Sequence, residues 1–515
     1  MMLHRRFIAS LVLVLIIGPS VQAAEGVLTG MRKVWYPLTL TFQGPPAKEA
    51  DDNPNPFLDY RLTVTLTGPN ESKIAIPGFF DGDGKGNGEG SAWRIRFFAD
   101  QPGRWTYRAS FRSGPKVAVD LDPDAGKPAA FDGASGAFEI APRDPNAPGV
   151  LRWGRLGYAN KHYLKFQDGP YWIKGGTDEP ENLLAYEGFD DTPPSHKYAI
   201  HREDWKPGDP DWGDGKGRAI IGALNYLGSR NVNSIYFLTM NVGGDGKDVW
   251  PWVGKPDRKG SPKDDTLHYD ISKLNQWNIV FEHAQRQGLV LHFVFNEAEE
   301  ENKKELDNAE LGDARKLYYR EMIARFGHNP ALEWNICEEY NIGYNLGTER
   351  VHQFAKYIRE IDPYKHPLTV HSAGDPVKAL GFTFGDPKFD LTSVQLNQKR
   401  IDQVTEQIRS ETAKAGRPLP ASMDEFTVDK GQRASHIPVD DVDLQRKEKL
   451  WPTYLSGGMI EFILEGLLKV DDFKSGQKDG LWRATWYARK FLEELPFWEM
   501  EPDDGLVRGA STYDV

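Results

Sequence analysis

The chain has 515 residues, 39% hydrophobic and 12% aromatic, with a formal net charge of −12. That length exceeds one ordinary core and predicts two or three domains, and the composition excludes a disordered chain. The acidic balance, with no basic run, predicts no nucleic-acid partner, because a phosphate backbone must be neutralised by Lys and Arg.

At the N-terminus His4, Arg5 and Arg6 precede the apolar run "FIASLVLVLII", and "VQA" places small residues up to Ala23. This pattern predicts a secretory signal peptide over 1–23 and a secreted or periplasmic protein. The run is short of the roughly 20 residues a membrane span needs. No later segment is more apolar, so no span is expected after cleavage. Cys337 is the one cysteine, which excludes an intrachain disulfide.

Residues 24–112 read as strands. In "RLTVTL" Leu62, Val64 and Leu66 alternate with polar residues, and "WRIRF" and "WTYRASF" repeat the pattern through Trp93, Ile95, Phe97, Trp105, Tyr107, Ala109 and Phe111. Period two with one apolar face predicts half-buried antiparallel sheet, and the Gly- and Pro-rich turns predict an immunoglobulin-like β-sandwich. The turn "DGDGKGNGEG" from Asp81 fails the EF-hand pattern: Lys85 stands where an oxygen ligand belongs and Ala92 where a bidentate Glu belongs. It reads as a hairpin loop. Residues 113–150, rich in Pro, Gly, Ala and Asp, read as a linker with a short strand at "AFEIA".

Over 151–500 short apolar strands alternate with helical patterns. The strand candidates are "YWIKG", "NSIYFL", "LVLHFVF", "ALEWNIC", "PLTVH", "LTSVQL", "LPASM" and "GMIEFIL". Between them lie amphipathic stripes such as Ile271, Leu274, Trp277, Phe281 and Ala284, or Val351, Phe354, Ile358 and Ile361. Eight β/α alternations predict a (β/α)8 TIM barrel. The rival, an open doubly wound sheet, usually carries a Gly-rich phosphate loop after its first strand, and no such pattern is present. Residues 501–515 read as the start of a truncated C-terminal β-domain.

A barrel of this kind places its active site at the C-terminal strand ends. Those ends carry Asp178, Glu179 and Asn182; Asn241 and Asp245; Asn296 and Glu297; Glu338 and Glu339; His371; Gln395 and Asn397; Asp424 and Glu425; Glu461 and Glu465. Amides and carboxylates bind sugar hydroxyls, and Trp250 and Trp252 are candidates for ring-stacking faces, as are Trp205 and Trp212. Glycoside hydrolysis needs two carboxyl groups across the scissile bond, and carboxylates ending strands four and seven are one such arrangement. Glu338 and Glu339 are adjacent, and on a strand they would point to opposite faces. No "HExxH" is present, and His292 and His371 lie on separate strands without a third obvious ligand, so neither a metal nor a cofactor is expected.

The barrel resembles clan A of the glycoside hydrolases, in which an Asn-Glu pair ends strand four and a Glu ends strand seven. The ending "EEYN" is similar to that clan's strand-four motif, and "SMDEF" to its strand-seven end. The wider chain resembles an exported bacterial family with an immunoglobulin-like domain of unknown function (the 5060 type) before the barrel. Segments such as "NPFLDYRL", "PGFFDGDG" and "EWNICEEYN" carry that likeness. The resemblance implies a retaining glycosidase acting on a polysaccharide or oligosaccharide, with Glu339 as acid/base and Glu425 as nucleophile. Glu338 and Asp424 are the alternative catalytic carboxylates. Glu338 stands where the clan has Asn. Asn241, Trp250, Trp252, Glu297, His371, Gln395 and Asn397 would line the sugar sites. Two rival functions remain at this level: a non-catalytic carbohydrate-binding protein and a polysaccharide lyase.

Overall fold

A computed structural model describes residues 25–256, 264–396, 400–426, 441–464, 468–503 and 506. The signal-peptide reading, Asn397, Glu465 and most of 501–515 lie outside the described residues.

The N-terminal part is two antiparallel sheets. One orders Val27–Gly30, Leu38–Lys48, Glu89–Phe97 and Phe79–Phe80; the other centres on Tyr60–Thr67 and Gly103–Ser113. The alternation seen in the sequence sets the inner faces: Leu62, Val64, Leu66, Trp93, Ile95, Phe97, Trp105, Tyr107, Ala109 and Phe111 are all buried. Each such side chain stabilises the fold by about 1.5–3 kcal/mol when fully removed from water. The stretch read as a linker is part of this sandwich. Ser135–Ile140 pairs with Gly103–Arg108, and Phe131 stacks between Phe42 (4.7 Å) and Phe111 (4.3 Å). Its Pro and Gly content masked two core residues, Phe131 and Phe138, which are spaced too far apart to make a pattern.

The second part is a parallel barrel. Its strands are Gly175–Thr177, Ser234–Leu238, Val290–Val294, Leu332–Asn335, Leu368–Thr369 continuing as His371–Ser372, Ser393–Leu396, Ser422–Phe426 and Met459–Phe462. The first strand pairs with both the second and the eighth, so the sheet curls round. It closes through the interrupted fifth strand, whose halves pair with strand four and strand six respectively. An open doubly wound sheet is thereby excluded. The candidate "YWIKG" is corrected in one respect. Tyr171–Trp172 pairs antiparallel with Leu164–Phe166 in a small separate sheet, and the barrel strand begins only at Gly175.

The helices follow the predicted stripes. Ile271–Gln287 starts at an Asp270 side chain that accepts from the Lys273 backbone N–H at 2.9 Å and stops at Gly288, where φ is +90°. The sandwich packs on this helix and on Asp313–Phe326. Arg320 donates to the Leu62 carbonyl and Arg325 to the Phe80 carbonyl, both at 2.8 Å. Asp81, which opens the Gly-rich turn, is fully buried. It pairs with Arg94 and accepts from the Asn275 amide at 2.9 Å, so it ties the sandwich to the barrel. Among the described residues no helix is long and apolar enough to cross a membrane.

Candidate active site

Two layers of polar side chains fill the barrel. In the lower layer Lys174 is completely buried. Its ammonium lies 3.0 Å from Glu333, 3.1 Å from Asp424 and 3.4 Å from Glu461. His292 Nδ1 lies 2.7 Å from Glu461, whose other oxygen accepts from the Ser234 hydroxyl. Burial alone would push the Lys174 ammonium toward neutrality, but the three carboxylates hold it firmly charged. Asp424 is held far below the usual carboxylate range: burial opposes this, and Lys174 outweighs it.

Asp424 is therefore tied into the barrel core and does not face a substrate, which removes it as an alternative catalytic carboxylate. The reason is a β-bulge. Val394 pairs with Met423 but Gln395 pairs with Glu425, so Asp424 is the extra residue. A bulge re-aims the side chains around it, and here the next residue, Glu425, turns into the upper layer.

The upper layer gathers Glu425, the Glu338–Glu339 pair, His371, Gln395, Glu297 and Asp178, all named at the strand ends, with two residues not singled out there: Glu181 and Tyr236. Carboxylate oxygens of Glu338 and Glu425 and a ring nitrogen of His371 lie within 4.8 Å of one another. Gln395 Nε2 donates to Glu425 at 2.6 Å, and the same amide acts on Glu339. His371 Nε2 is 4.0 Å from Glu425; burial drives its pKa down to about 3, so it is a neutral imidazole.

The expectation that Glu338 and Glu339 face opposite ways is overturned. Strand four ends at Asn335, before the pair. Glu339 then has φ of +38°, a left-handed conformation that costs a bulky residue of order 1 kcal/mol or more. This turn brings both carboxyls to the same cluster. Lys303 fixes it by donating to the carbonyls of Glu339 (2.9 Å) and Ile342 (2.8 Å). Glu338 is buried, whereas Glu339 is partly open to solvent.

Burial pushes Glu339 up to about 7, with Gln395 pulling the other way, and Glu425 up to about 8, with Glu339's charge adding to burial. Glu338 lies well above the usual range through burial and then the charges of Glu425 and Glu339. The lone thiol, Cys337, is buried and pushed up to about 12, so it is packing and no nucleophile.

Several predicted sugar contacts serve the fold instead. Asn241 Oδ1 accepts from the backbone N–H groups of Asp248 (2.9 Å) and Val249 (2.7 Å), and its Nδ2 donates to the Asp248 side chain, so it closes its own loop. Trp250 is buried with Lys273 over its ring, and Trp252 is buried beside Tyr318. Neither offers a free face. Of the other two tryptophans, Trp205 carries Arg218 over its ring and Trp212 stacks on Phe189. Glu297 belongs to the cluster: its Oε1 accepts from the Asp245 N–H at 2.9 Å and its Oε2 has no partner. Asp178 was visible as a strand-end residue, Glu181 only as one charge in a loop, and Tyr236 only as an inward position of strand two.

The chain is thus a closed (β/α)8 barrel, with acid groups gathered at the C-terminal rim where such barrels place their sites, preceded by a β-sandwich. Residues 31–112 match the family described as "Domain of unknown function (DUF5060)". No curated protein matches the sequence. Among solved structures, the chain is similar to a Bacteroides vulgatus ATCC 8482 protein proposed to be a glycoside hydrolase, at 16% identity and a TM-score of 0.62, covering 90% of this chain and 78% of that one. A glycoside hydrolase family 5 protein from the same organism matches at 14% identity and TM-score 0.45, over 70% of this chain and 76% of its own. An endo-1,4-β-mannanase from Rhizomucor miehei matches at 12% and 0.45, over 66% and 99%. The first of these likenesses extends over both parts of the chain and shows the shared fold.

Proposed function

We propose that this chain is an exported glycoside hydrolase that cleaves O-glycosidic bonds of a polysaccharide or oligosaccharide by a retaining, two-carboxylate mechanism. The observation that carries this reading is the gathering of Glu425, Glu338 and His371 within 4.8 Å at the barrel's C-terminal end, with Gln395 reaching both Glu425 and Glu339. Glu425 and Glu339 interact, so the two titrate as a pair; in the reactive form the proton sits on Glu339, and the Glu425 carboxylate attacks the anomeric carbon. The bond to the leaving oxygen breaks, and Glu339 delivers its proton to that oxygen. A glycosyl ester on Glu425 results. Glu339, now a carboxylate, takes a proton from water, which attacks the same carbon and frees Glu425. The partly open position of Glu339 suits an exchange of protons with solvent and leaving group. The likeness of the strand-four and strand-seven ends to those of the retaining clan supports the retaining course. Gln395 and His371 orient Glu425 and meet sugar hydroxyls.

The test is a polysaccharide panel read by reducing-end release, with the product anomer followed by NMR. Wild type is expected to add water to a glycan with retention, and Glu339→Gln and Glu425→Gln are each expected to lose at least about 10²–10⁴-fold in turnover while staying folded. Binding without cleavage would make the chain a carbohydrate-binding protein. An unsaturated product would make it a lyase. Undiminished turnover in Glu425→Gln would remove the nucleophile assignment. Protein recovered outside the cytoplasm with its N-terminus just after Ala23 would support export.

A further inference from the structure

The upper layer holds more negative charge than two-carboxylate chemistry uses. Oxygens of Glu181, Glu297 and Glu338 lie within 4.8 Å of one another, and each of the three side chains is at least nine-tenths buried. Glu181 Oε1 and Glu297 Oε2 accept no hydrogen bond. Asp178 stands beside Glu338 and Glu425, fully buried, with neither carboxylate oxygen partnered. The charged groups that bear most on Glu181 are all carboxyls: Glu338, Asp178, Glu425 and Glu297. Among the described residues no Lys, Arg or His pairs with Glu181 or Glu297; the nearby Lys303 donates instead to two backbone carbonyls. A buried carboxylate without a counter-charge is costly, and several together are more so.

We infer that Glu181, Glu297 and Glu338 form a binding site for a divalent cation of the calcium type. The donor set is entirely oxygen, which suits a hard ion better than it suits zinc or copper. Calcium takes its oxygens at 2.3–2.6 Å, so two ligands facing each other across the ion stand roughly 4.6–5.2 Å apart. The trio's oxygens, all within 4.8 Å of one another, are close enough to share one such ion. Calcium also tolerates irregular coordination, whereas magnesium demands near-octahedral geometry and keeps its water. Glu297 belongs to a second trio with Asp245 and Glu299, again within 4.8 Å, and Asp245 is exposed. That second set extends the carboxylates from the buried trio toward an exposed residue. The lower layer supplies the internal contrast: there the same crowding of carboxylates is neutralised by Lys174.

The site is independent of the glycosidase reading, since a chain that cuts no glycan would still bind the ion. The whole mature chain is stripped of metal and titrated with calcium chloride by calorimetry. Terbium is used in parallel as a luminescent substitute, sensitised by the nearby Tyr236. One ion per chain is expected. Glu181→Gln and Glu297→Gln should each weaken binding at least about tenfold, whereas Glu203→Gln, on the exposed surface, should leave it unchanged. Both Gln variants remove repulsion and are expected to fold; their circular dichroism and melting temperature confirm it. The inference is overturned if the stripped wild type gives neither heat nor luminescence at millimolar calcium, because the carboxyls are then neutralised by protons. It is equally overturned if binding is indifferent to both substitutions, or if glucosamine binds in a Glu181-dependent way and calcium does not. In that last case the cation is a substrate ammonium.

Discussion

The two layers inside the barrel are made of the same residue types and are buried to the same degree, yet they are built differently. Below, Glu333, Asp424 and Glu461 share one ammonium and an imidazole. Above, Asp178, Glu181, Glu297, Glu338 and Glu425 share a neutral histidine, an amide and one another. Burial costs a carboxylate the same in both places. What differs is whether the protein itself supplies the compensating charge. The lower layer is complete and belongs to the fold. The upper layer leaves acceptors to be met by something from outside, which is the condition a binding site must satisfy.

The comparison breaks most visibly at Lys174. Lys174→Met removes the one cation of the lower layer and strands three carboxylates. The expected loss is about 3–5 kcal/mol, the usual consequence of breaking a buried ion pair from one side. Urea unfolding followed by tryptophan fluorescence measures it. A loss under about 1 kcal/mol would mean that the layer is balanced without the ammonium, and the distinction between the layers would fail.

The same operation in the upper layer should have the opposite sign. Asp178 is held well above the usual carboxylate range by burial first and then by Glu425 and Glu338, so the folded chain holds its proton more tightly than the unfolded chain does. Asp178→Asn removes that demand for a proton. In metal-free buffer at neutral pH it is expected to raise stability, since the folded chain no longer has to hold a proton that the unfolded chain gives up. The urea midpoint should move up. A destabilised variant would show that Asp178 has a partner in solution and is no orphan.

How far these layers were legible in the sequence depends on what set each position. Strands and helices were readable because burial alternates along them: Leu62, Val64 and Leu66 in the sandwich, or Val351, Phe354 and Ile358 on a helix, are apolar because of where they point. The strand-end rule located His371, Gln395, Glu297 and Glu425 for the same reason. It failed at Asn241, Trp250 and Trp252, which sit at a strand end but turn back to hold their own loop and the barrel wall. Nor could it see that Glu338 and Glu339 face the same way, because that rests on one left-handed residue and on Lys303, 36 positions away. The bulge that separates the fates of Asp424 and Glu425 is a matter of register with the neighbouring strand and leaves no local mark. Glu181 and Tyr236 acquire meaning only from what the fold sets against them.

The smallest effect lies outside both layers, at the seam between sandwich and barrel, and it fixes the background against which they are read. His268 is buried there with Nδ1 2.7 Å from Asp265, and its Nε2 meets the Asp51 carbonyl at 3.1 Å. Burial pulls its pKa down, but the hydrogen bond and charge of Asp265, helped by Asp51, outweigh it and leave the pKa above the ordinary 6.5. The folded state thus binds this proton more tightly than the unfolded one. The stabilisation is fully present below pH 6.5 and is lost as pH rises through the higher folded value. Because Asp265 is half exposed, the whole contribution should stay under about 1 kcal/mol. His268→Gln should therefore melt below wild type at pH 5.5 and approach it at pH 8.5. A gap that is constant with pH would mean that the imidazole is neutral throughout and that the seam is held by packing alone. In the barrel, by contrast, the lower layer should lose stability toward acid as Asp424 is protonated.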